Sequence, residues 1–185
     1  GRLLTRMSAD EYFEFCQLNG DLRIERTAEG DLVIMRLTGG ETGRINASIT
    51  AQLVDWNRQN GEGIAFDSST GFQLPSGAVR STDCSWVTRE RWQKLSEAQR
   101  ERFPPLTPDF LLELRSESDS LSTLKAKMEE YLAGGARLGW LLDPMKRKAW
   151  IYRPGAEIEE LDSPTELNGE EVLPGFVLNL KAVWG

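Results

Sequence analysis

Alternating apolar and polar residues between positions 109 and 115, in the segment DFLLELR, predict a β-strand. In a strand, successive side chains point to opposite faces. One face therefore carries Phe110, Leu112 and Leu114, and the other carries Asp109, Leu111, Glu113 and Arg115. Residues 138–142 are nearly all apolar, as in a central strand that is covered on both faces.

Two longer helices are predicted from apolar residues at helical spacing. Ile45, Ile49, Leu53 and Trp56 recur at steps of four, four and three, which indicates an amphipathic helix over 42–60 that ends at Gly61. A second helix is expected over 121–132, with two glycines after it as the C-terminal cap. A shorter helix that ends near residues 19–20 should start at a capping box of Ser8 and Glu11. The polar segment 88–103 is also predicted to be helical.

The remaining segments predict short strands around these helices. Residues 22–26 and 32–37 form a hairpin, and further strands are expected at 64–66, 71–74, 83–87 and 149–153. The tail from position 173 should add an edge strand and a short terminal turn. Strand, helix and strand across 109–142 indicate a parallel crossover. We therefore expect an α/β fold with a mixed sheet flanked by helices, in one domain over residues 1–185.

Composition narrows the chemistry that the chain can perform. The 185 residues include no histidine, which excludes Ser/His/Asp catalysis and histidine-ligated zinc. Two cysteines are too few for a disulfide framework, so we expect a reducing cytoplasm. We find no membrane span and no secretory signal in the sequence. A net charge of −7 argues against nucleic-acid binding through a single large basic surface.

Two carboxylates stand out as candidates for a site. Glu113 lies in an apolar strand, where a charge is costly unless it is paired or bound. An ion pair with Arg115, on the same strand face, would explain it without any function. Asp83 starts the strand in STDCSWV, although a carboxylate at the start of a strand is also a common turn residue. Asp109, which follows a proline, is a weaker rival.

Lysines on the helix over 121–132 are harder to distinguish. Lys125 and Lys127 flank the apolar stripe on opposite sides, and Tyr131 lies one turn beyond Lys127 on the same side. Either lysine could be a surface residue whose aliphatic part covers apolar neighbours. The periodicity alone does not choose between them.

Four segments of the chain, in this order, are SSTGFQLPSGAVRSTDCSWV, PDFLLELRSESDSL, KMEEYLAGGARLGWLLDP and LPGFVLNL. Taken together, they resemble the Uma-two family of restriction-endonuclease-like bacterial proteins. That family resembles the PD-(D/E)XK nucleases, in which an Asp and a Glu on adjacent strands hold Mg²⁺. The resemblance therefore implies a restriction endonuclease-like core and a metal-dependent nuclease.

The resemblance also assigns roles to individual residues. Asp83 and Glu113 match the two acids, so they are the expected ligands of Mg²⁺ or Mn²⁺. The motif K-x-x-x-Y favours Lys127 as a catalytic residue, with Tyr131 near the substrate. Glu41 lies where such nucleases often carry a further acid. The chain departs from the pattern because Thr82 replaces a proline, Arg115 replaces a lysine and Glu117 stands where relatives commonly have proline.

The implied function is hydrolysis of nucleic-acid phosphodiester bonds, with DNA the expected substrate, by a water that the metal activates. Arg115 would contact the phosphate or only balance the charge of Glu113. The alternatives are an inactive nuclease fold that binds nucleic acid or a protein, and an interaction domain without a site. Positive charge for DNA could come from two clusters, and a homodimer would place two sites on one duplex. These clusters comprise Arg89, Arg91, Lys94, Arg100 and Arg102 in one segment and Lys146, Arg147 and Lys148 in another.

Overall fold

A computed structural model describes residues 7–185 of the chain. Its helices, in chain order, are α1 Ala9–Leu18, α2 Gly40–Asn60, α3 Arg89–Gln93, α4 Glu97–Glu101, α5 Leu121–Ala133 and α6 Lys181–Trp184. Helix α1 begins at the predicted capping box, since Ser8 Oγ accepts from the amide of Glu11 and Glu11 Oε2 accepts from the amide of Ser8. Helix α2 ends at Gly61, whose φ of 67° is the left-handed conformation that glycine adopts without strain.

The strands run from β1 to β12. Their bounds are β1 Arg23–Arg26, β2 Leu32–Met35, β3 Gly63–Phe66, β4 Gly71–Gln73, β5 Val79–Ser81, β6 Cys84–Thr88, β7 Phe110–Leu114, β8 Leu138–Asp143, β9 Lys148–Tyr152, β10 Glu159–Asp162, β11 Glu166–Asn168 and β12 Val177–Asn179.

Three sheets organise these strands. The largest has six strands in the order β10-β9-β8-β7-β6-β3, with β7 and β8 parallel and the other neighbours antiparallel. A four-stranded sheet has the order β2-β1-β5-β4, and β11 pairs with β12 in a two-stranded sheet. The predicted mixed α/β fold and the parallel crossover through α5 are both confirmed.

Helices α2 and α5 cover opposite faces of strand β7, which is buried along its whole length. Phe110, Leu112 and Leu114 pack with the apolar stripe of α2 and with the C-terminal segment. Leu111 packs on the other side with residues of α5, including Met128. Glu113 points to the same side as Leu111, as the strand periodicity predicts, so its carboxylate lies beneath α5.

Some elements differ from the sequence prediction. The segment 88–103 contains two short helices, α3 and α4, instead of one. The tail strand β12 pairs with β11 and not at the edge of the main sheet, where β10 lies instead. Strands β5, β10 and β11 have only three or four residues each and gave no distinct pattern.

No helix within residues 7–185 has both the length and the apolar character that crossing a bilayer requires.

Candidate functional site

The site is built around Glu113, the single charged residue of strand β7. Glu113 lies opposite Leu141 of β8, and the residue before it, Leu112, lies opposite Cys84 of β6. Only 5% of Glu113 is exposed. Because a buried carboxylate needs polar partners, the surroundings of this side chain should contain groups that stabilise its charge.

Asp83 lies directly before strand β6 and is fixed to the backbone on both sides of Glu113. Its amide donates to Leu112 O at 3.1 Å, and its Oδ2 accepts from the Leu114 amide at 2.7 Å. Its Oδ1 accepts from Asn46 Nδ2 of helix α2 at 3.1 Å. These contacts place the two acids on adjoining strand segments, where the charge of Asp83 acts on Glu113.

Helix α5 brings Lys127 and Tyr131 onto Glu113. Lys127 Nζ lies 2.9 Å from Glu113 Oε1, and the Tyr131 hydroxyl donates to the same oxygen at 2.9 Å. The tyrosine is completely buried and the lysine side chain is 10% exposed. By contrast, Lys125 Nζ lies over the Trp150 ring, 4.6 Å from its centroid. The structure therefore distinguishes two lysines that the periodicity left equivalent.

A further acid, Glu25 on strand β1, reaches Lys127 from the four-stranded sheet. Its Oε1 accepts from Lys127 Nζ at 3.0 Å, and its Oε2 accepts from Arg80 at 3.2 Å. Glu25 is only 4% exposed. Sequence reasoning missed Glu25, because the local sequence of β1 predicts one strand of a polar hairpin and the partners of Glu25 are distant in the chain.

Burial and neighbouring charge move the pKa values of these groups. Burial raises the pKa of Glu113 to about 7; Lys127 opposes this shift, and the charges of Asp83 and Glu25 add to it. Burial also raises the pKa of Asp83, against the stabilising amide of Leu114. Burial alone would lower the pKa of Lys127, but Glu113 and Glu25 outweigh it and raise that pKa, so the lysine is charged.

An open groove with a volume of about 490 Å³ lies beside Asp83. Helix α2 contributes Asn46 and Thr50 to its wall, and the loop after β2 contributes Arg36 and Thr38. Strand β1 adds Arg23, whose guanidinium donates to Ser81 Oγ at 3.2 Å. The groove thus combines an acid of the site with two arginines that sequence reasoning did not select.

The other predicted site residues have partners elsewhere. Glu41, at the exposed start of α2, pairs with Arg44 of the same helix, so its contacts do not join it to the two acids. Arg115 Nη1 lies 2.6 Å from Asp143 Oδ2, so the ion pair considered between Arg115 and Glu113 is not the one that forms. The rival Asp109 is buried and pairs with Arg91. Roles for Glu41 and Arg115 in a site stay predictions.

The two basic clusters considered for DNA binding are mainly engaged with other parts of the protein. Arg91 pairs with Asp109, Arg102 with Asp10, and Lys148 with Glu160 and Asp162. None of the residues in either cluster, all of which the structure describes, lines the groove beside Asp83.

Carboxylate oxygens, such as those of Asp83 and Glu113, are the type of ligand that a hard divalent cation prefers. Within the described part of the chain, no three Asp, Glu or Cys side chains converge as a complete cation site. Mg²⁺, however, is commonly held by one or two carboxylates, with waters and substrate phosphates as its other ligands. Among the described residues, Asn46 Oδ1, on the same amide whose nitrogen donates to Asp83, is buried without a hydrogen-bond partner.

Comparison with known proteins agrees with this architecture. The model of the Uma2 (Uma-two) family, described as "Putative restriction endonuclease", matches residues 9–181. A solved structure from Anabaena variabilis ATCC 29413, titled as a putative nuclease belonging to DUF820, has a TM-score of 0.78 and 20% sequence identity. The match covers 96% of this chain and 97% of that one. No curated protein matches the chain.

Proposed function

Because the chain belongs to the Uma2 family, we propose that it hydrolyses phosphodiester bonds in DNA as an endonuclease that depends on Mg²⁺ or Mn²⁺. One observation carries the proposal. Asp83, directly before β6, is hydrogen-bonded to β7 on both sides of Glu113, and the buried ammonium of Lys127 contacts Glu113. Asp83 lines an open groove, and the buried Glu113 and Lys127 lie beside it, an arrangement that supports metal-assisted cleavage of a phosphate ester.

Asp83 and Glu113 would hold the cation through carboxylate oxygens. The cation would lower the pKa of a water and offset the negative charge that develops on the phosphate. Lys127 would supply positive charge next to Glu113, where it could orient the attacking water or stabilise the transition state. Tyr131 donates to Glu113 from a fully buried position, which favours a role in fixing that carboxylate over contact with substrate.

The groove beside Asp83 suits an extended polyanion. Arg23 and Arg36 offer positive charge along its wall, and Thr38, Thr50 and Ser68 offer hydroxyl groups that can bond phosphate oxygens. We propose that a DNA strand follows this groove to the acid pair. We also propose a homodimer, since two copies of the groove could then act on the two strands of one duplex.

Metal-dependent thermal stability tests the site. Titration with Mg²⁺ or Mn²⁺ should raise the melting temperature, because a ligand that binds only the folded state stabilises it. Asp83→Asn and Glu113→Gln should each abolish that rise, whereas Asp109→Asn, at a buried acid outside the pair, should keep it. If the two site variants respond to metal like the parent, the assignment is wrong.

A cleavage assay then tests the reaction. Plasmid DNA with Mg²⁺ or Mn²⁺ should be nicked or cut by the parent protein and not by Glu113→Gln. Size measurement by light scattering on the same sample would report whether the active species is a dimer.

The inactive alternative has one observation in its favour. Both oxygens of Asp83 and one oxygen of Glu113 already accept hydrogen bonds within the protein. A protein of this kind would bind DNA and show no metal-dependent melting shift and no cleavage. The two assays together therefore separate an active nuclease from a binding protein with the same fold.

A further inference from the structure

We propose that Glu25 is a positioning residue that holds the Lys127 ammonium against Glu113 for the reaction. The inference rests on the proposed nuclease function and extends it to a residue outside the acid and lysine motif. Glu25 belongs to strand β1 of the four-stranded sheet, whereas Glu113 and Lys127 belong to the main sheet and the helix that covers it.

The hydrogen-bond geometry of Lys127 carries the argument. Its ammonium has three N–H donors and lies within hydrogen-bond distance of three acceptors. They are Glu25 Oε1 at 3.0 Å, Ser81 O at 3.0 Å and Glu113 Oε1 at 2.9 Å. A lysine has a flexible stem of four carbons, and three fixed acceptors restrict its head to one place. Glu25 supplies the second negative charge among them.

Glu25 is itself held in place by its neighbours. Its Oε1 accepts from the amide of Ser81 at 3.0 Å and from Ser81 Oγ at 3.1 Å, and Arg80 Nη1 donates to its Oε2 at 3.2 Å. The segment 80–82 leads directly into Asp83, so the same stretch of chain anchors Glu25 and carries an acid of the site. A carboxylate fixed in this way can fix the lysine in turn.

A direct role for Glu25 as a metal ligand does not fit the geometry. Among the described residues, no three acids converge as a cation site, and Lys127 Nζ lies between Glu25 and Glu113. The effect of Glu25 on a phosphate would therefore pass through the lysine. This distinguishes a positioning residue from a third ligand.

A purely structural role is the competing explanation, because Glu25 also ties β1 to Arg80. Glu130 provides the matched control. It pairs with Arg80 Nε at 2.7 Å and has no part in the contacts of Lys127. Glu130→Gln therefore removes a carboxylate from Arg80 while leaving the three acceptors of Lys127 intact.

The first experiment compares Glu25→Gln with Glu130→Gln in single-turnover cleavage of DNA with Mg²⁺. Glu25→Gln should lower the rate at saturating substrate by about 10- to 100-fold, the usual effect of losing a partner that orients a reacting group. Its KM and its affinity for Mn²⁺ should stay within about threefold of the parent. Glu130→Gln should cleave like the parent. A Glu25→Gln rate within twofold of the parent overturns the proposal.

The second experiment needs no activity, so it separates a failure of this inference from a failure of the nuclease function. A buried ammonium with three acceptors exchanges its protons slowly and should give a side-chain ¹H–¹⁵N NMR signal, assigned to Lys127 by its loss in Lys127→Arg. Glu130→Gln should keep the signal, and Glu25→Gln should lose or shift it. If Glu25→Gln keeps the parental signal, Glu25 does not position the lysine, whether or not the protein cleaves DNA.

Discussion

Glu113 illustrates how a single carboxylate can be tolerated inside a sheet. Its charge is nearly excluded from water, yet Lys127 and Tyr131 both contact Oε1. These partners do not fully compensate for burial, since the pKa of Glu113 still rises to about 7. Near neutral pH the carboxyl group is therefore balanced between its protonated and ionised forms, and a cation beside it would favour the ionised form.

The pKa of Glu113 predicts how stability depends on pH. A folded-state pKa above the ordinary value favours the protonated form in the folded protein. The contribution of Glu113 to stability should therefore be largest below pH 4.5 and be lost as pH rises through about 7. In a chelator, urea unfolding from pH 5 to pH 8 should show a greater loss of stability for the parent than for Glu113→Gln. Saturating Mn²⁺ should reduce this loss of stability in the parent only. If the stability of the parent and of Glu113→Gln depended on pH in the same way, the prediction would be wrong.

The two lysines of α5 allow a matched test of the catalytic assignment. Lys127→Ala should lower the rate of DNA cleavage by roughly 10²-fold or more, the scale for losing one transition-state contact. Lys125→Ala should change it little, because that lysine lies over Trp150. Both rates should be measured with Mn²⁺ at saturation. Equal losses in the two variants would rule out the choice of Lys127.

Some of the residues in the candidate site could be identified from the sequence. Glu113 could be singled out because a charge interrupts an apolar strand, and the family motif selected Lys127. Glu25 could not be singled out, because its burial results from pairing between β1 and β5, across more than fifty residues. Local sequence around it reads as an exposed hairpin, and no periodicity indicates a distant partner.

At the level of elements, Arg115 and Asp143 connect the ends of the parallel strands β7 and β8. Asp143 is fully buried, and its Oδ1 also accepts from the Lys146 amide. The Arg115 amide donates to Leu142 O at 2.8 Å, which continues the pairing of the two strands. The arginine thus links the C-terminal ends of β7 and β8.

Breaking the Arg115–Asp143 ion pair should lower the stability of the protein without weakening metal binding. Asp143→Asn leaves Arg115 without its charged partner, and breaking a buried pair from one side costs about 3 kcal/mol or more. We expect a corresponding decrease in the free energy of urea unfolding, with the Mn²⁺ affinity of the folded protein unchanged. If metal binding fell while stability did not, Arg115 would belong to the metal site.

Elements with a strong periodic pattern were predictable, and those without one were not. Helix α2 shows four apolar residues at helical spacing, and all four are buried. Strand β10, EELD, contains one apolar residue and forms only because β9 offers an unpaired edge. Pairing of this kind depends on the assembled sheet, so a local sequence pattern does not contain it.

For the whole molecule, the central difficulty is how an acidic protein could bind a polyanion. The net charge is −7, and the acid pair itself repels phosphate. Many of the basic residues in the clusters chosen from the sequence are paired with acids. Arg36, by contrast, is exposed and lines the groove beside Asp83, so positive charge is available at the place where the proposal needs it.

DNA affinity across a salt series should locate that charge. In the Glu113→Gln background, binding with Mg²⁺ should weaken as salt rises, because each phosphate contact releases a counterion. Arg36→Ala should reduce the slope of log affinity against log salt by about 0.9, the value for one contact. Lys94→Ala, which removes a similarly exposed cation paired with Glu90, should leave the slope unchanged. If Glu113→Gln and its combinations with Arg36→Ala and Lys94→Ala all gave the same slope, the DNA would not bind along this groove. If no salt-dependent binding occurred at low ionic strength, nucleic acid would not be the substrate.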